Sequence, residues 1–372
     1  MKIKNYRKKL ILIALFPLGM LLYLLTARMP SVIEYVFSRG LNKWFTEALS
    51  LFTGLAPFSV AEFGLIILTI LALFLLITGV INVIKTKTGK LKLLLDYILN
   101  VLAVVSVVYF ILTVTWTLNY NRFPYAKIAG LDVRPASIDE LARVCEGLIN
   151  RANSLRSLVL QDSTGVMALS ASIPETFSEA KGGYEVAAKA NPTFSGTYGR
   201  PKPVFFSEKM SYSGIIGIYC PFTCEVNVDV AIPDYSIPST VCHEMAHQHG
   251  FAREDEANYI SYVTCSLNPN ADFQYSGTML ALISSMNALY GHDRDRFYDL
   301  NKKISQDVHR DMKADSLYWQ QHKGPVQNTV TSLNDAYLKA NRQTDGVYSY
   351  GRMVDLLIAQ YRRDQSVVPS VP

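Results

Sequence analysis

The sequence predicts an α+β protein in which three N-terminal transmembrane helices precede an extracytoplasmic domain with a small sheet and several helices. Three observations support this. The first 117 residues contain three long apolar runs. Residues 193–237 are dominated by Gly, Pro, Tyr and β-branched residues, as strands and turns are. Much of the remaining chain shows helical periodicity.

The membrane segments are the apolar runs 10–27, 63–84 and 93–116. Each is long enough to cross about 30 Å of hydrocarbon. The first run leads into Thr26-Ala27-Arg28, which lacks the small-x-small pattern of a cleavage site, and two further runs follow. We therefore expect an uncleaved, multi-pass anchor in a lipid bilayer.

Lysine distribution predicts the orientation of this anchor. Five basic residues precede the first run and four lie in or beside the loop 85–92, whereas the much longer loop between the first two runs holds three. The positive-inside rule then places the N-terminus and the loop 85–92 in the cytoplasm. Residues 1–117 form the anchor, residues 118–365 an extracytoplasmic domain, and residues 366–372 a disordered tail.

The net charge of +5 belongs to the anchor. Residues 1–117 carry 12 Lys and Arg against 4 Asp and Glu, whereas the remainder carries 24 against 27. The outer domain is therefore slightly acidic, and we expect no nucleic-acid partner.

The outer domain is large enough for one globular unit. Ser137 is a good N-cap for the first of its helices. Strands are expected at 204–206, 214–219 and 225–231, where an edge strand could hold an extended peptide or simply form sheet core. Helices are expected at 137–160, 173–190, 238–249, 254–267, 277–291, 294–313 and 326–341.

The most informative motif is His243-Glu244-x-x-His247. Positions i and i+4 share one face of a helix, so both imidazoles can reach one Zn²⁺ ion. Glu244 would then sit beside the ion's open position as general base for a water. Pro238 and Gly250 bracket the segment as helix start and stop signals. His249 points off this face, so we expect it to be solvated or hydrogen-bonded.

A catalytic zinc site needs a third protein ligand. In one extended form of the motif it is a histidine, but this chain has Arg253 there, which cannot ligate a metal. The next candidates are Glu254, Asp255 and Glu256. Residues 254–258 resemble the Glu-x-x-x-Asp signature of gluzincin peptidases. That resemblance implies a zincin-like domain with Glu254 as zinc ligand and Asn258 orienting a histidine. Glu256 stays the alternative ligand.

The whole chain also resembles a bacterial membrane-anchored family known as domain of unknown function 3810. The resembling stretches are 57–62, 116–120, 221–223, 243–265 and 349–352. The resemblance implies a three-span anchor and a metallopeptidase domain, without naming a substrate. Among possible oxyanion-stabilising residues it favours Tyr350 and Arg352 over His292.

All five cysteines lie in the outer domain. An oxidising exterior permits Cys220–Cys224 or Cys242–Cys265 pairing, and a zinc site of Cys220, Cys224 and Cys242 is a weaker alternative. At least one thiol stays unpaired within the chain, because the number is odd.

These observations predict a membrane-anchored zinc metallopeptidase with His243, His247 and Glu254 as metal ligands and Glu244 and Tyr350 as catalytic residues. Its partners would be a peptide or protein substrate and the bilayer. The alternative is a non-catalytic metal-binding ectodomain that senses or binds an envelope component. Intramembrane proteolysis is disfavoured, because the motif lies in a polar stretch far from the apolar runs.

Overall fold

The structure is a computed structural model that describes residues 3–367. Three stretches, Tyr6–Thr26, Val60–Lys85 and Lys90–Thr115, are long and apolar enough to cross a membrane, as the sequence predicts. The helices of the N-terminal part are α1 (Ile3–Ile13), α2 (Leu15–Thr26), α3 (Pro30–Val32), α4 (Lys43–Thr53), α5 (Val60–Lys85) and α6 (Lys90–Thr115), with a π-helix at Ile33–Asn42.

The C-terminal part is mainly helical. Its helices are α7 (Tyr125–Ala129), α8 (Ile138–Arg156), α9 (Ile173–Ala190), α10 (Ser207–Ser211), α11 (Ile237–Gln248), α12 (Glu254–Leu267), α13 (Ala271–His292), α14 (Arg294–Asn301), α15 (Gln306–His322), α16 (Pro325–Ala340) and α17 (Met353–Val367). Its 3₁₀ turns are Thr117–Asn121, Pro192–Phe194, Asp234–Ser236 and Gly346–Arg352.

The strands are β1 (Leu160–Gln161), β2 (Met167–Ala168), β3 (Lys202–Pro203), β4 (Gly217–Cys220) and β5 (Glu225–Val228). β1 and β2 form an antiparallel pair. The second sheet has the order β3-β5-β4, with β3 parallel and β4 antiparallel to β5. Among the described strands β4 pairs with β5 alone, with Gly217 opposite Val228, so β4 is an edge strand.

Local signals explain the helices that carry the core. Ser137 and Glu140 form the capping box of α8, and Ser172 and Glu175 form that of α9. α11, α12 and α13 pack together with α8 and α9 around a single apolar core. α9 approaches α12 so closely that a Cβ at Gly183 would lie 1.9 Å from the Thr264 carbonyl oxygen.

Several expectations are corrected. The strands expected at 214–219 and 225–231 lie at Gly217–Cys220 and Glu225–Val228. The helix predicted at 294–313 is two helices, because Ser305 caps a new start through the Val308 N–H. The strand predicted at 204–206 lies instead at Lys202–Pro203, since the N–H groups of Phe205 and Phe206 donate to the Glu62 carboxylate rather than to a strand.

A further correction concerns the cysteines, all five of which are free thiols. The Cys224 thiol is turned towards the Pro221 carbonyl and the Cys265 thiol towards the Pro238 carbonyl. Of the tail predicted at 366–372, residues up to Val367 belong to α17, and residues 368–372 lie outside the described residues.

The segment between the first two membrane helices packs on the C-terminal domain. The Ser59 hydroxyl donates to Asn227 Oδ1 at 2.6 Å, and Glu225 accepts from the backbone N–H groups of Val60 and Ala61. The buried ammonium of Lys202 binds Glu225. These contacts join the start of α5 to the sheet.

Candidate metal centre

His243 and His247 of α11 both turn their Nε2 atoms towards the same carboxylate oxygen, Glu254 Oε2. His243 Nδ1 lies 2.8 Å from Asn258 Oδ1, and His247 Nδ1 lies 2.7 Å from the Phe251 carbonyl oxygen. Both partners accept hydrogen bonds, so each Nδ1 donates its proton to them and each Nε2 is turned towards Glu254. Ligating histidines are commonly held in this way.

Glu254, the first residue of α12, completes the group. Its Oε2 lies 3.2 Å from His243 Nε2 and 3.3 Å from His247 Nε2. Tetrahedral zinc with bonds of about 2.0 Å spaces its ligand atoms about 3.3 Å apart. Oε2 is buried, and apart from these two imidazoles it has no hydrogen-bond partner within residues 3–367. The three side chains fit a metal ion and could hold one.

The electrostatics of this group favour a cation. Burial by itself would raise the pKa of Glu254, but the two neighbouring imidazoles outweigh it and the pKa falls well below its usual range. Burial lowers the pKa of His247, yet the Glu254 carboxylate raises it to about 9. The negative charge that attracts a proton to His247 equally attracts a divalent cation.

Glu244 lies beside this group without belonging to it. Its carboxyl is buried, and burial raises its pKa against the opposing influence of His243 and His247. β4 covers it so closely that a Cβ at Gly217 would lie 2.6 Å from Glu244 Oε1. The Tyr219 backbone N–H also bonds the carboxyl. Glu244 is thus a well-positioned carboxylate with an increased affinity for protons.

Tyr350 lies on the other side of His243. The two rings are nearly parallel, with centroids 6.4 Å apart. Its hydroxyl accepts a hydrogen bond from Asn334 at 3.4 Å and bonds to Glu254. Burial and the Glu254 charge hold the pKa of Tyr350 well above its usual value. The side chain is therefore a neutral phenol that can donate a hydrogen bond.

The other candidate site residues, Arg352, His292 and Glu256, do not belong to the metal-ligating group. Arg352 is exposed and pairs with Asp345, and it does not line the cleft. His292, at the end of α13, is exposed on the cleft wall. Glu256 Oε1 accepts the Tyr125 N–H at 2.8 Å and is not in the metal-ligating group, so the structure brings Glu254 to the histidines.

His249 is hydrogen-bonded, one of its two expected states. Its Nδ1 lies 2.7 Å from the Met245 carbonyl, and its ring stacks on Tyr184 at 4.5 Å. Burial lowers the pKa of His249 to about 4. It is a neutral residue of the core behind α11.

A cleft of about 990 Å³ opens on the centre. The start of β4, α11, α13, α16 and the 3₁₀ turn Gly346–Arg352 form its walls. Within the described part of the chain, Glu244 is the only Asp, Glu, Lys or Arg side chain among the lining residues. The polar lining is mostly uncharged, from residues such as Ser239, Thr240, Asn287, Gln327 and Asn334.

A family model described as "Protein of unknown function (DUF3810)" matches residues 37–358. The chain belongs to the DUF3810 family. No curated protein and no solved structure matches the chain. The DUF3810 match covers the candidate centre, namely His243, Glu244, His247, Glu254 and Tyr350. It begins inside the π-helix and therefore also covers most of the segment between the first two candidate spans.

His247 has an aromatic support that its sequence motif does not indicate. Trp116 packs edge-on against the His247 ring at 5.6 Å, and its Nε1 donates to the Tyr337 hydroxyl at 3.1 Å. Tyr120 hydrogen-bonds Tyr337 in turn. Trp116 and His247 are 131 positions apart, so no local pattern predicts their contact. The resemblance of residues 116–120 to the family is the sequence signal that points to this stretch.

Proposed function

We propose that this protein is a membrane-anchored zinc metallopeptidase that hydrolyses peptide bonds of peptide or protein substrates. The observation that supports it most is the convergence of His243 Nε2, His247 Nε2 and Glu254 Oε2 with the Glu244 carboxyl beside them. Two imidazoles and one carboxylate are a common ligand set of catalytic zinc. The helix pair α11 and α12 with the edge strand β4 supports a zincin-like fold for the domain.

Zinc bound there would act as a Lewis acid on the substrate carbonyl and acidify a water molecule. The protein's own residues do the rest. Glu244 accepts the proton of the attacking water and returns it to the leaving amine. Burial raises the pKa of Glu244, which increases the affinity of the carboxylate for the proton that it takes from water.

Tyr350 is the residue that we propose to stabilise the oxyanion. It is a neutral phenol beside Glu254 and His243, so it can donate a hydrogen bond where negative charge develops. The edge strand β4 can hold the substrate's main chain by backbone hydrogen bonds, because it pairs with β5 alone and its Gly217 contacts Glu244.

The cleft lining favours internal peptide bonds. An enzyme that trims termini needs a cation for a carboxylate end or a spare acid for an amine end. Among the described lining residues, Glu244 is the only acid and there is no Lys or Arg, and Glu244 is already assigned to proton transfer. Uncharged hydroxyl and amide groups suit the middle of a neutral peptide segment. This supports an endopeptidase.

The placement of the domain is proposed from charge alone. Lysines cluster before α2 and between α5 and α6, so the N-terminus is assigned to the cytoplasm and the metal centre to the exterior of the cell membrane. A C-terminal reporter fusion that is active only outside the cell would support this arrangement, and a cytoplasmic signal would contradict it.

Metal analysis of the purified full-length protein tests the ligands. Wild type and Glu256→Gln should hold one zinc per chain, while His243→Ala, His247→Ala and Glu254→Ala should not. Loss of zinc in Glu256→Gln with retention in Glu254→Ala would reverse the assignment of the third ligand.

Glu244→Gln tests the chemistry. It keeps the shape of the side chain but cannot take a proton, so zinc should stay bound while cleavage of a peptide library falls by at least about 100-fold. Equal cleavage by both proteins would contradict the mechanism. Zinc-dependent binding of an envelope component, unchanged in Glu244→Gln and without cleavage, would favour a non-catalytic binding ectodomain.

A further inference from the structure

The segment between the first two candidate membrane spans is amphipathic. A surface helix of a soluble domain buries its apolar face, whereas this segment buries its polar face and exposes its apolar one. From Glu34 a polar residue recurs nearly every fourth position, and all of these residues are buried. The series is Glu34, Ser38, Asn42, Thr46, Ser50 and Thr53. It runs through the π-helix Ile33–Asn42 and α4.

The buried polar stripe is bound to the C-terminal domain. The guanidinium of Arg122 pairs with Glu34 at 2.8 Å and donates to the Gly250 carbonyl at 2.9 Å. Ser38 donates to Asn119 at 2.7 Å, and Thr53 donates to the Thr223 carbonyl at 3.0 Å. The stripe therefore faces protein, and Glu34, Ser38 and Thr53 are bonded to the C-terminal domain.

The opposite face is apolar and uncovered. Trp44 and Phe52 are each 71% exposed, and Leu55 is 81% exposed. Tyr35, Val36 and Leu41 extend the same outward surface. A helix that turns its polar residues inward and its Trp, Phe and Leu outward matches a hydrocarbon environment rather than water.

The apolar surface is continuous with the second membrane helix. Phe58 contacts Phe63 of α5 at 5.1 Å, and Phe63 contacts Phe205 of the C-terminal domain at 6.4 Å. Phe205 is itself 74% exposed. Exposed aromatic residues thus link the segment, the beginning of a spanning helix and the rim of the domain.

We infer that residues 33–55, together with Phe205 and Phe206, form a docking surface for the bilayer, with the segment lying in the membrane interface and the C-terminal domain resting on it. The occupant is lipid, because the surface adjoins the span Val60–Lys85 directly. This inference is independent of any catalytic activity. It places the domain against the membrane rather than on a free tether.

Tryptophan quenching tests the docking surface. Full-length protein in phosphatidylcholine nanodiscs is compared with Trp44→Phe, so that the difference in emission reports Trp44. Lipids carrying a doxyl group near the headgroup should quench most of that difference, and aqueous iodide should quench little of it. Trp319→Phe is the matched control, because Trp319 lines the cleft and its emission should not respond to the lipid label.

Two results would overturn the inference. Quenching of Trp44 by iodide but not by labelled lipid would mean that this face meets water. Quenching by neither, in a protein that is dimeric in the nanodisc, would assign the face to a second copy. If Trp44→Phe is poorly folded, the same measurement on Phe52→Trp should give additional emission that labelled lipid quenches.

Discussion

His243 and Asn258 are joined across two helices, with His243 Nδ1 2.8 Å from Asn258 Oδ1. The other end of the same amide donates to the Tyr350 carbonyl at 3.0 Å. One side chain therefore orients a proposed ligand and a proposed oxyanion donor together. The aspartate of the gluzincin signature has no N–H group, so its carboxylate could not donate to the Tyr350 carbonyl oxygen. This bond is a structural reason for asparagine at position 258.

Replacing Asn258 should separate these two functions. Asn258→Ala frees His243 and should weaken zinc binding by roughly 10- to 100-fold. Asn258→Asp keeps an acceptor for His243 but loses the donor to Tyr350, so activity should fall more than zinc affinity does. Chelator competition and peptide cleavage measure the two quantities. Wild-type zinc affinity in Asn258→Ala would contradict the orienting role.

Tyr350→Phe removes the phenol alone. The Asn258 bond goes to the Tyr350 backbone carbonyl, which phenylalanine retains, so zinc content should not change. Loss of one oxyanion donor should lower kcat by about 100- to 1,000-fold. Tyr348→Phe is the matched control, because Tyr348 lines the same cleft but is 83% exposed. Equal effects of the two substitutions would remove Tyr350 from the mechanism.

Gly217→Ala should misplace the base. The added Cβ would lie 2.6 Å from Glu244 Oε1 and 2.9 Å from Thr240 Cγ2, so β4 or the carboxylate must move. A shift of about 1 Å at a reacting group costs on the order of 100-fold in rate. Gly351→Ala serves as control, since it lies on the same cleft with no heavy atom within 4 Å of its Cβ. Unchanged kcat in Gly217→Ala would show that β4 does not position Glu244.

Because His249 is buried in its neutral form, we expect the folded protein to lose stability as the pH falls. Its pKa is lowered by burial to about 4, so between about pH 6.5 and pH 4 the unfolded chain binds more protons than the folded one. The free energy of unfolding should fall by about 1.4 kcal/mol per pH unit in that window and level off below it.

Thermal unfolding in nanodiscs with a chelator, compared between wild type and His249→Asn, isolates this contribution. The asparagine can retain a donor to the Met245 carbonyl without titrating. The variant should lose less stability between pH 6.5 and pH 4 than wild type. Parallel pH profiles would assign the acid sensitivity to other groups.

Sequence patterns with a local cause predicted the structure well. The spacing of His243 and His247 requires only one helical turn, and Ser137, Pro238 and Gly250 mark helix ends through their own backbone chemistry. Glu254 was predicted from its resemblance to a known signature, since periodicity alone left three adjacent acids open. The structure brings it to the histidines by the turn at Gly250.

Features formed by distant residues were not predicted. The aromatic support at Trp116 and Tyr337 joins positions 221 residues apart, and no local pattern identifies such a pair. The buried stripe from Glu34 to Thr53 is different, because its four-residue spacing is visible in the sequence. The spacing alone does not say which face is buried, because next to a bilayer the outward face of a helix can be the apolar one.

The contacts at the start of α5 bear on the order in which the chain assembles. The N–H groups of Val60 and Ala61 bond Glu225, a residue made more than 160 positions later in synthesis. Ser59 caps α5 locally through the Glu62 N–H, but the N–H groups of Val60 and Ala61 must bond water until the sheet that carries Glu225 has formed. The helices emerge first, but the domain they carry completes the anchor.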